Sequence, residues 1–168
     1  MPEEWFQLLV CQALERRLGL APWRWWREVP TRDGSRADLV YCHRGRAVGF
    51  EMKLADDGAL SRGLASRDLR QLRHYKAACD AVYLVTLAVP CGYTVDTDMR
   101  VRAEEPPEAQ LLPEGVGWIM VDRMTLEAAV LRPAPELTPV LCDRVAMLDA
   151  MDARTTGMAR AVRLARAS

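Results

Sequence analysis

The chain has 168 residues, half of them hydrophobic, and its 23 basic and 23 acidic residues give a formal net charge of zero. This size fits one domain with a real core and argues against wholesale disorder. A protein that coats nucleic acid nonspecifically is usually strongly basic, so a net charge of zero argues against that class. Any nucleic-acid binding must therefore rest on local basic patches. No apolar run approaches the roughly 18–20 residues that span a bilayer, and the N-terminus lacks the pattern of a secretory signal. We therefore expect a cytoplasmic protein that does not enter a membrane.

The first part of the chain predicts one helix and three strands. Residues 3–18 carry an apolar stripe near the helical period, which predicts an amphipathic helix. A first strand is predicted over residues 23–29. Two β-like runs, 37–42 and 47–53, are separated by a short glycine-containing connection, which predicts a tight hairpin.

The second part predicts two helices and two strands. A polar loop over residues 55–66 precedes a helix over 67–78. Residues 81–89 form a nearly continuous apolar run, which is typical of a strand covered on both faces. A last strand is predicted over 117–121, and a closing helix over about 141–167.

The order α-β-β-β-α-β-β-α indicates an α/β (mixed α+β) class with a central mixed sheet flanked by helices. We interpret residues 1–168 as a single domain, with its core over about 3–121 and a C-terminal helical extension over about 141–167. Three methionines in the extension are predicted to pack that helix on the core: Met147, Met151 and Met158.

The predicted hairpin brings charged side chains together. If Arg44 and Gly45 are the two turn residues, Asp38 lies directly opposite Glu51 on the neighbouring strand. Such partners have Cβ atoms roughly 4.5–5.5 Å apart. Side chains alternate along a strand, so Lys53 points to the same face as Glu51. Two carboxylates and one ammonium are therefore expected on one patch of the sheet.

Two opposed carboxylates destabilise a sheet, and one lysine neutralises only one of them. A divalent cation removes this conflict. Hard oxygen ligands suit Mg²⁺ or Mn²⁺, which also take phosphate oxygens. A cation of this kind supports phosphodiester hydrolysis, because it activates water and stabilises the charge that develops on the phosphate.

The strings Arg36-Ala-Asp38 and Glu51-Met-Lys53 resemble the signature of the PD-(D/E)XK nucleases. The resemblance implies a restriction-endonuclease-like αβββαβ core. It also implies that Asp38 and Glu51 bind the metal, that the Met52 backbone carbonyl is an additional ligand, and that Lys53 assists the attacking water. Alanine stands at position 37 where the family name has proline, a residue that does no chemistry.

The flanking helices extend this resemblance. The family usually carries a glutamate on its first helix, and Glu4 is the natural match, with Glu3 and then Glu15 as alternatives. The helix after the signature often carries Gln-x-x-x-Tyr, which Gln71 and Tyr75 match. Their spacing places both on one helical face, where they are expected to reach the site or position the DNA backbone.

The later chain, from Cys79 to Thr86 and from Leu112 to Asp122, is similar to the MmcB-like branch of these nucleases, which is associated with DNA repair. Local basic side chains are candidate phosphate contacts, although the same residues also fit an ordinary solvated face. They are Arg36, Arg62, Arg67, Arg70, Arg73, His74 and Lys76.

These features predict a Mg²⁺- or Mn²⁺-dependent deoxyribonuclease in DNA repair, recombination, or phage or restriction-type DNA processing. Two alternatives remain on the same fold. One is a DNA-binding module that does not cleave, and the other is a protein adaptor within a larger repair or phage complex. A homodimer is also plausible if both strands of a duplex are cut.

Overall fold

The computed structural model of the chain describes residues 3–22, 24–32, 34–53, 64–88, 112–122 and 124–153. Within these ranges the helices are α1 (Glu3–Leu18), α2 (Ser66–Ala78) and α3, which covers residues 141–153. The strands are β1 (Trp25–Pro30), β2 (Arg36–His43), β3 (Arg46–Lys53), β4 (Ala81–Ala88), β5 (Gly117–Asp122) and β6 (Ala128–Arg132). None of the described helices combines the length and apolar character needed to cross a membrane.

The six strands form one mixed sheet in the order β1-β2-β3-β4-β5-β6. The first three strands are antiparallel neighbours, β3-β4 and β4-β5 are parallel pairs, and β6 is antiparallel to β5. Parallel neighbours need a crossover connection, and α2 is the helical part of the one between β3 and β4. The predicted α/β class with a mixed sheet is thus confirmed.

The register of the β2-β3 hairpin agrees with the sequence prediction. Arg44 and Gly45 both have positive φ, 51° and 78°, as a two-residue type I′ turn requires. The Cα partners run from His43 with Arg46 to Leu39 with Phe50, which is the register that the prediction requires, and the Asp38 carboxylate accepts a hydrogen bond from the N–H of Met52, the residue after Glu51. The turn therefore fixes which side chains face one another at the open end of the hairpin.

Both faces of the sheet are covered by apolar side chains. On one face α1 packs against the sheet, and this cluster includes Val10, Leu14, Leu39, Phe50 and Ile119. The opposite face packs against α2 and α3, and its cluster includes Val40, Leu72, Leu84, Trp118 and Met147. Burial on both sides explains the continuous apolar run in β4.

The C-terminal helix packs on the core, as the methionine pattern predicts. Met147 and Met151 are 1% and 3% exposed, while Met158 lies outside the described residues. Arg144 also forms an ion pair with Asp80, with 2.5 Å between its Nη2 and the carboxylate Oδ2. The prediction of a helix from residue 141 is confirmed as far as residue 153, and the remainder of the predicted range is not described.

The prediction that 117–121 is the last strand is wrong, because β6 follows it. The intervening turn begins at Asp122, whose Oδ1 accepts hydrogen bonds from the N–H groups of Met124 (2.7 Å) and Thr125 (2.9 Å). This local pattern is a turn signal that favours a hairpin. The β6 sequence, Ala-Ala-Val-Leu-Arg, is short and leads into a proline-rich segment, so it lacks a strong strand signature.

Smaller differences concern element ends and masked ranges. The first strand begins at Trp25 rather than at residue 23, and α2 begins one residue earlier than predicted. Of the predicted loop over 55–66, only residues 64–66 are described, and Ser66 belongs to α2. The last residue of the predicted 81–89 strand is also outside the described part.

Gly117 is expected to be sensitive to substitution because β5 is crowded at this position. A Cβ added there would lie 2.5 Å from Tyr83 Cε1 and 2.6 Å from the Ala134 backbone nitrogen. We expect Gly117→Ala to lower the free energy of unfolding by about 1–3 kcal/mol in urea denaturation. Gly49→Ala is the matched comparison, since its new Cβ would lie 3.1 Å from Cys79 Sγ and at ordinary contact distances of 3.5 and 3.6 Å from Tyr75, and we expect a smaller loss. Equal stability of Gly117→Ala and wild type would contradict this packing.

Candidate functional site

An open cavity of about 230 Å³ lies where β2 begins and β3 ends, between α1 and α2. The structure brings together in it five residues of the predicted metal and catalytic set and one predicted nucleic-acid contact. The lining consists of Gln7, Asp38, Glu51, Met52, Lys53, Arg67, Asp68 and Gln71. Two of these, Gln7 and Asp68, are absent from the sequence prediction.

Both oxygens of the Glu51 carboxylate are held by protein donors. The side chain is 1% exposed. Its Oε1 lies 2.9 Å from Lys53 Nζ, and its Oε2 accepts a 2.6 Å hydrogen bond from the Tyr75 hydroxyl. Charge-assisted contacts of this kind offset the large cost of burying a carboxylate. Glu51 is therefore fixed in position by its neighbours.

Asp38 is the less stabilised member of the carboxylate pair. Its Oδ2 accepts a 2.8 Å hydrogen bond from the Met52 N–H. Burial, together with the negative charge of Glu51, raises the pKa of Asp38 to about 7 despite opposing contributions from the Met52 N–H and Lys53. Asp38 therefore resists ionisation beside the Glu51 carboxylate.

Lys53 lies between two carboxylates. Its Nζ is 2.9 Å from Glu51 Oε1 and 2.7 Å from Asp68 Oδ1. Burial alone would lower the pKa of Lys53, but hydrogen bonds with Asp68 and Glu51 outweigh it and raise that pKa above its ordinary value. Lys53 is thus an ammonium ion at neutral pH, and it acts in the cavity as a hydrogen-bond donor and a positive charge.

Tyr75 connects α2 with both strands of the hairpin. Its hydroxyl lies 2.6 Å from Glu51 Oε2 and 3.0 Å from the Arg36 carbonyl oxygen, and it accepts a 3.0 Å hydrogen bond from the Asp38 N–H. Burial, followed by the charges of Glu51 and Asp38, raises the pKa of Tyr75, so the hydroxyl remains a donor. Tyr75 therefore reaches the site through its hydroxyl. Its side chain is 1% exposed, so it has almost no surface that a DNA backbone could contact.

Gln71 lies on the same face of α2 but nearer to solvent. It lines the cavity, and its Nε2 is 3.5 Å from the Arg36 carbonyl oxygen. Of the two residues of the predicted Gln-x-x-x-Tyr pattern, Gln71 is therefore the one that a bound ligand can contact directly.

Gln7 is an α1 residue of the cavity that sequence reasoning missed. It is 4% exposed, and its Oε1 has no hydrogen-bond partner within the described residues. A buried unpaired acceptor of this kind costs about 1–3 kcal/mol unless a ligand or water satisfies it. Gln7 shares the apolar face of α1 with Val10, Cys11 and Leu14, and a polar side chain on that stripe was the available signal.

Asp68 was missed for a related reason. It precedes Gln71 by three residues and Tyr75 by seven, so all three share one face of the helix. That spacing was visible in the sequence, but the Gln-x-x-x-Tyr pattern does not include this position.

The glutamates predicted on the first helix have different outcomes. Glu4 and Glu3 belong to α1, but their side chains are outside the described part of the structure. Glu15 accepts a 2.7 Å hydrogen bond from the Trp25 indole N–H and is not among the described residues that line the cavity. Gln7 is thus the α1 side chain that the described residues bring to the site.

The predicted nucleic-acid contacts are only partly grouped. Arg67 lines the cavity, and Arg70 and Arg73 are exposed further along α2. Lys76 donates a 2.5 Å hydrogen bond to the Glu114 carbonyl, so it is committed to a loop contact. His74 is half-buried, and Arg62 lies outside the described residues.

Arg36 lies at the start of β2 and is exposed. Its guanidinium Nη1 is 3.8 Å from Glu28 Oε2, a solvent-exposed ion pair of small energetic consequence. The guanidinium is not one of the described groups that line the cavity.

The oxygen donors of the cavity fit a hard divalent cation. Asp38 and Glu51 supply two carboxylates, and Gln7 Oε1 supplies a neutral oxygen that lacks a described partner. The described residues include no group of three or more His, Cys, Asp or Glu side chains that could hold a metal ion. Two carboxylates with a neutral oxygen suit a cation such as Mg²⁺, which keeps several waters, better than they suit a zinc cage.

Comparisons with known proteins bear on the fold alone. No family model matches the chain, and no curated protein matches it. Among solved structures, the chain is similar to the SPO1766 protein of unknown function from Silicibacter pomeroyi, with a TM-score of 0.53 and 19% identity. That similarity covers 92% of this chain and 88% of the other. It supports the described architecture and carries no information on activity.

The raised pKa of Asp38 predicts a pH-dependent penalty in metal-free protein. The pKa of Asp38 is about 7 in the folded protein, against an ordinary value of 3.8. Protonated Asp38 therefore stabilises the folded state at low pH, and this contribution is lost as the pH rises through 7. We therefore expect Asp38→Asn, whose amide oxygen can still accept from the Met52 N–H, to be more stable than wild type by about 1–3 kcal/mol at pH 8. At pH 4 this gain should be largely absent.

Urea denaturation in EDTA at the two pH values measures this difference. Asp149→Asn is the control, since Asp149 is an exposed residue of α3. A gain for Asp38→Asn that is the same at both pH values would contradict the proposed origin of the penalty.

Proposed function

We propose that the chain is a Mg²⁺- or Mn²⁺-dependent nuclease that hydrolyses phosphodiester bonds in DNA. The observation that carries this proposal is the pair of Asp38 and Glu51 in one open cavity, where burial and mutual repulsion raise the pKa of Asp38 to about 7. Lys53 lies against the same pair. A divalent cation relieves the repulsion and satisfies the chemistry of the donor set.

The local charge balance also favours a cation. Among the described residues, the cavity lining has three carboxylates, from Asp38, Glu51 and Asp68, against the positive charges of Lys53 and Arg67. With all of these groups ionised the described lining carries a net charge of −1, since three negative charges meet two positive ones. Asp38 and Glu51 would hold the cation, with Gln7 Oε1 as a neutral donor and the Met52 carbonyl as the further ligand that the family resemblance implies.

When bound, such a cation activates water as a nucleophile and stabilises the negative charge that develops on the phosphate. Lys53, an ammonium held by Asp68 and Glu51, would orient the water or neutralise a phosphate oxygen. Tyr75 and the Met52 N–H hold the two carboxylates in place. Gln71 and Arg67, at the cavity wall, are available to the phosphodiester backbone.

The exposed arginines of α2 support a nucleic-acid substrate. Arg67 lines the cavity, and Arg70 and Arg73 continue the basic surface of the same helix. Arginine is well suited to bidentate contact with phosphate, and such contacts contribute affinity without sequence specificity. DNA as the polymer, a role in repair, recombination or phage or restriction-type processing, and a cytoplasmic location are parts of the same proposal.

A non-catalytic DNA-binding module is the second candidate. The observation that favours it is the full use of Glu51 by protein donors, since Lys53 and Tyr75 contact its two oxygens without a metal. In that case the charged residues act as a structural network. This candidate predicts DNA binding with no metal-dependent product.

Cleavage by active-site variants tests the proposal. We expect wild type to cut labelled single-stranded, double-stranded or branched DNA with Mg²⁺ or Mn²⁺, and to be inactive in EDTA. Lys53→Ala and Asp38→Ala should each reduce the rate about 100-fold or more, because each removes a group that acts on the reacting phosphate or its cation. Arg46→Ala is the control, since Arg46 pairs with Glu136 at the distant hairpin turn. Unchanged cleavage in both active-site variants would refute the assignment.

Gln7 provides a test that does not depend on cleavage. Gln7→Leu removes a buried unpaired oxygen, so the metal-free variant should gain about 1–3 kcal/mol of stability. The same change removes a candidate cation ligand, so the increase in melting temperature caused by Mg²⁺ should shrink. Thermal unfolding with and without Mg²⁺ measures both effects.

Gln12→Leu is the matched control, because Gln12 is exposed on the same helix. This substitution should change neither the Mg²⁺-induced rise in melting temperature nor the packing of the core. An unchanged Mg²⁺ response in Gln7→Leu would remove Gln7 from the ligand set.

A further inference from the structure

Asp68 makes the shorter of the two ion pairs of Lys53. The distance from Lys53 Nζ to Asp68 Oδ1 is 2.7 Å, against 2.9 Å to Glu51 Oε1. The side chains of Lys53 and Asp68 are 27% and 17% exposed, so the pair lies at the wall of the cavity and is only partly solvated. Asp68 and Glu51 therefore share the same ammonium group.

The geometry of Glu51 gives this shared contact a consequence. Its Oε2 accepts a 2.6 Å hydrogen bond from the Tyr75 hydroxyl, and its Oε1 contacts the Lys53 ammonium. A divalent cation bound to Glu51 shares that carboxylate with the ammonium, and the two positive charges repel each other, so the cation weakens the hold of Glu51 on Lys53. Asp68 is then the remaining described carboxylate within contact distance of the ammonium.

We propose that Asp68 is a positioning residue, which keeps the Lys53 ammonium at the cavity when a divalent cation occupies Glu51. The inference rests on the proposed metal-dependent function and adds a residue outside the sequence signature. It explains why Lys53 has two carboxylate partners. Without Asp68, a lysine side chain with four rotatable bonds would turn toward solvent once the cation is bound.

A purely structural role for Asp68 makes a different prediction. Its second oxygen, Oδ2, lies 3.3 Å from the Ala65 backbone nitrogen at the start of α2, where it caps the helix. If capping were its only role, removal of Asp68 would loosen α2 without a specific effect on Lys53. The two oxygens thus separate the two roles, since Oδ1 faces Lys53 and Oδ2 faces the cap.

The lysine content of the chain permits a direct test, because Lys53 and Lys76 are the only two lysines. Amine acetylation with acetic anhydride, followed by mass spectrometry, reports how firmly each ammonium is held. Lys76 is an internal reference, because it lies on the same helix as Asp68 but donates to the Glu114 carbonyl rather than to a carboxylate of the site. The experiment compares wild type, Asp68→Ala and Asp68→Asn, with and without saturating Mg²⁺.

With Mg²⁺ bound, we expect Lys53 of Asp68→Ala to be acetylated about three- to tenfold faster than Lys53 of wild type. Without Mg²⁺ the ratio should be smaller, because Glu51 still holds the ammonium. The rate for Lys76 should not change. Asp68→Asn keeps an oxygen that can accept from Lys53 and from the Ala65 N–H, so its ratio should lie between those of wild type and Asp68→Ala.

Two results would overturn the inference. One is an unchanged Lys53 rate in Asp68→Ala with Mg²⁺ bound, and the other is an equal rise at Lys53 and Lys76, which indicates general loosening of α2. Binding of Mg²⁺ is measured on the same samples by calorimetry. Absence of binding to wild type would refute the inference and the metal site together. The expected labelling without DNA cleavage would refute the nuclease alone.

Discussion

Two carboxylates that face each other across neighbouring strands impose the central constraint on this structure. Asp38 and Glu51 line one cavity at the end of the hairpin, where burial and the negative charge of Glu51 raise the pKa of Asp38 to about 7. Isolated like charges at this spacing would destabilise the sheet. Their neighbours compensate in part: Lys53 and Tyr75 contact Glu51, and the Met52 N–H contacts Asp38. What remains is an excess of negative charge in an open cavity.

The fold supplies this arrangement by placing the end of the hairpin between two layers of helix. The α1 cluster covers one face of the sheet and the α2 cluster covers the other. At the end where β2 begins and β3 ends, Gln7 from α1 and Asp68 from α2 line the same cavity as the carboxylates. These residues are distant in sequence and meet only because both helical layers pack on the sheet. A loss of core packing would therefore also disrupt the geometry of the site.

Much of the site followed from the sequence because hairpin geometry is local. Once Arg44 and Gly45 form the turn, the register predicts Asp38 opposite Glu51, strand alternation predicts Lys53 on the same face, and all three side chains line one cavity in the structure. Helical spacing likewise grouped Gln71 with Tyr75. These relationships need only the turn type and the period of each element.

The remaining features depend on contacts between elements, which no local rule encodes. Burial of Gln7 against the hairpin and the pairing of Asp68 with Lys53 arise only after α1 and α2 pack on the sheet. Tyr75 is buried for the same reason, and its burial leaves almost no surface for a contact with DNA. β6 was missed because its short sequence gains strand character by pairing with β5 rather than from its own composition.

We propose that Asp38 and Glu51 together bind a divalent cation. Calorimetric titration of Mn²⁺ into metal-free protein at neutral pH measures this binding, with Asp38→Asn and Glu51→Gln as isosteric variants that keep the shape of the cavity. We expect saturable binding to wild type and loss of that binding in both variants. Equal binding in wild type and both variants, or no binding to any of them, would contradict it.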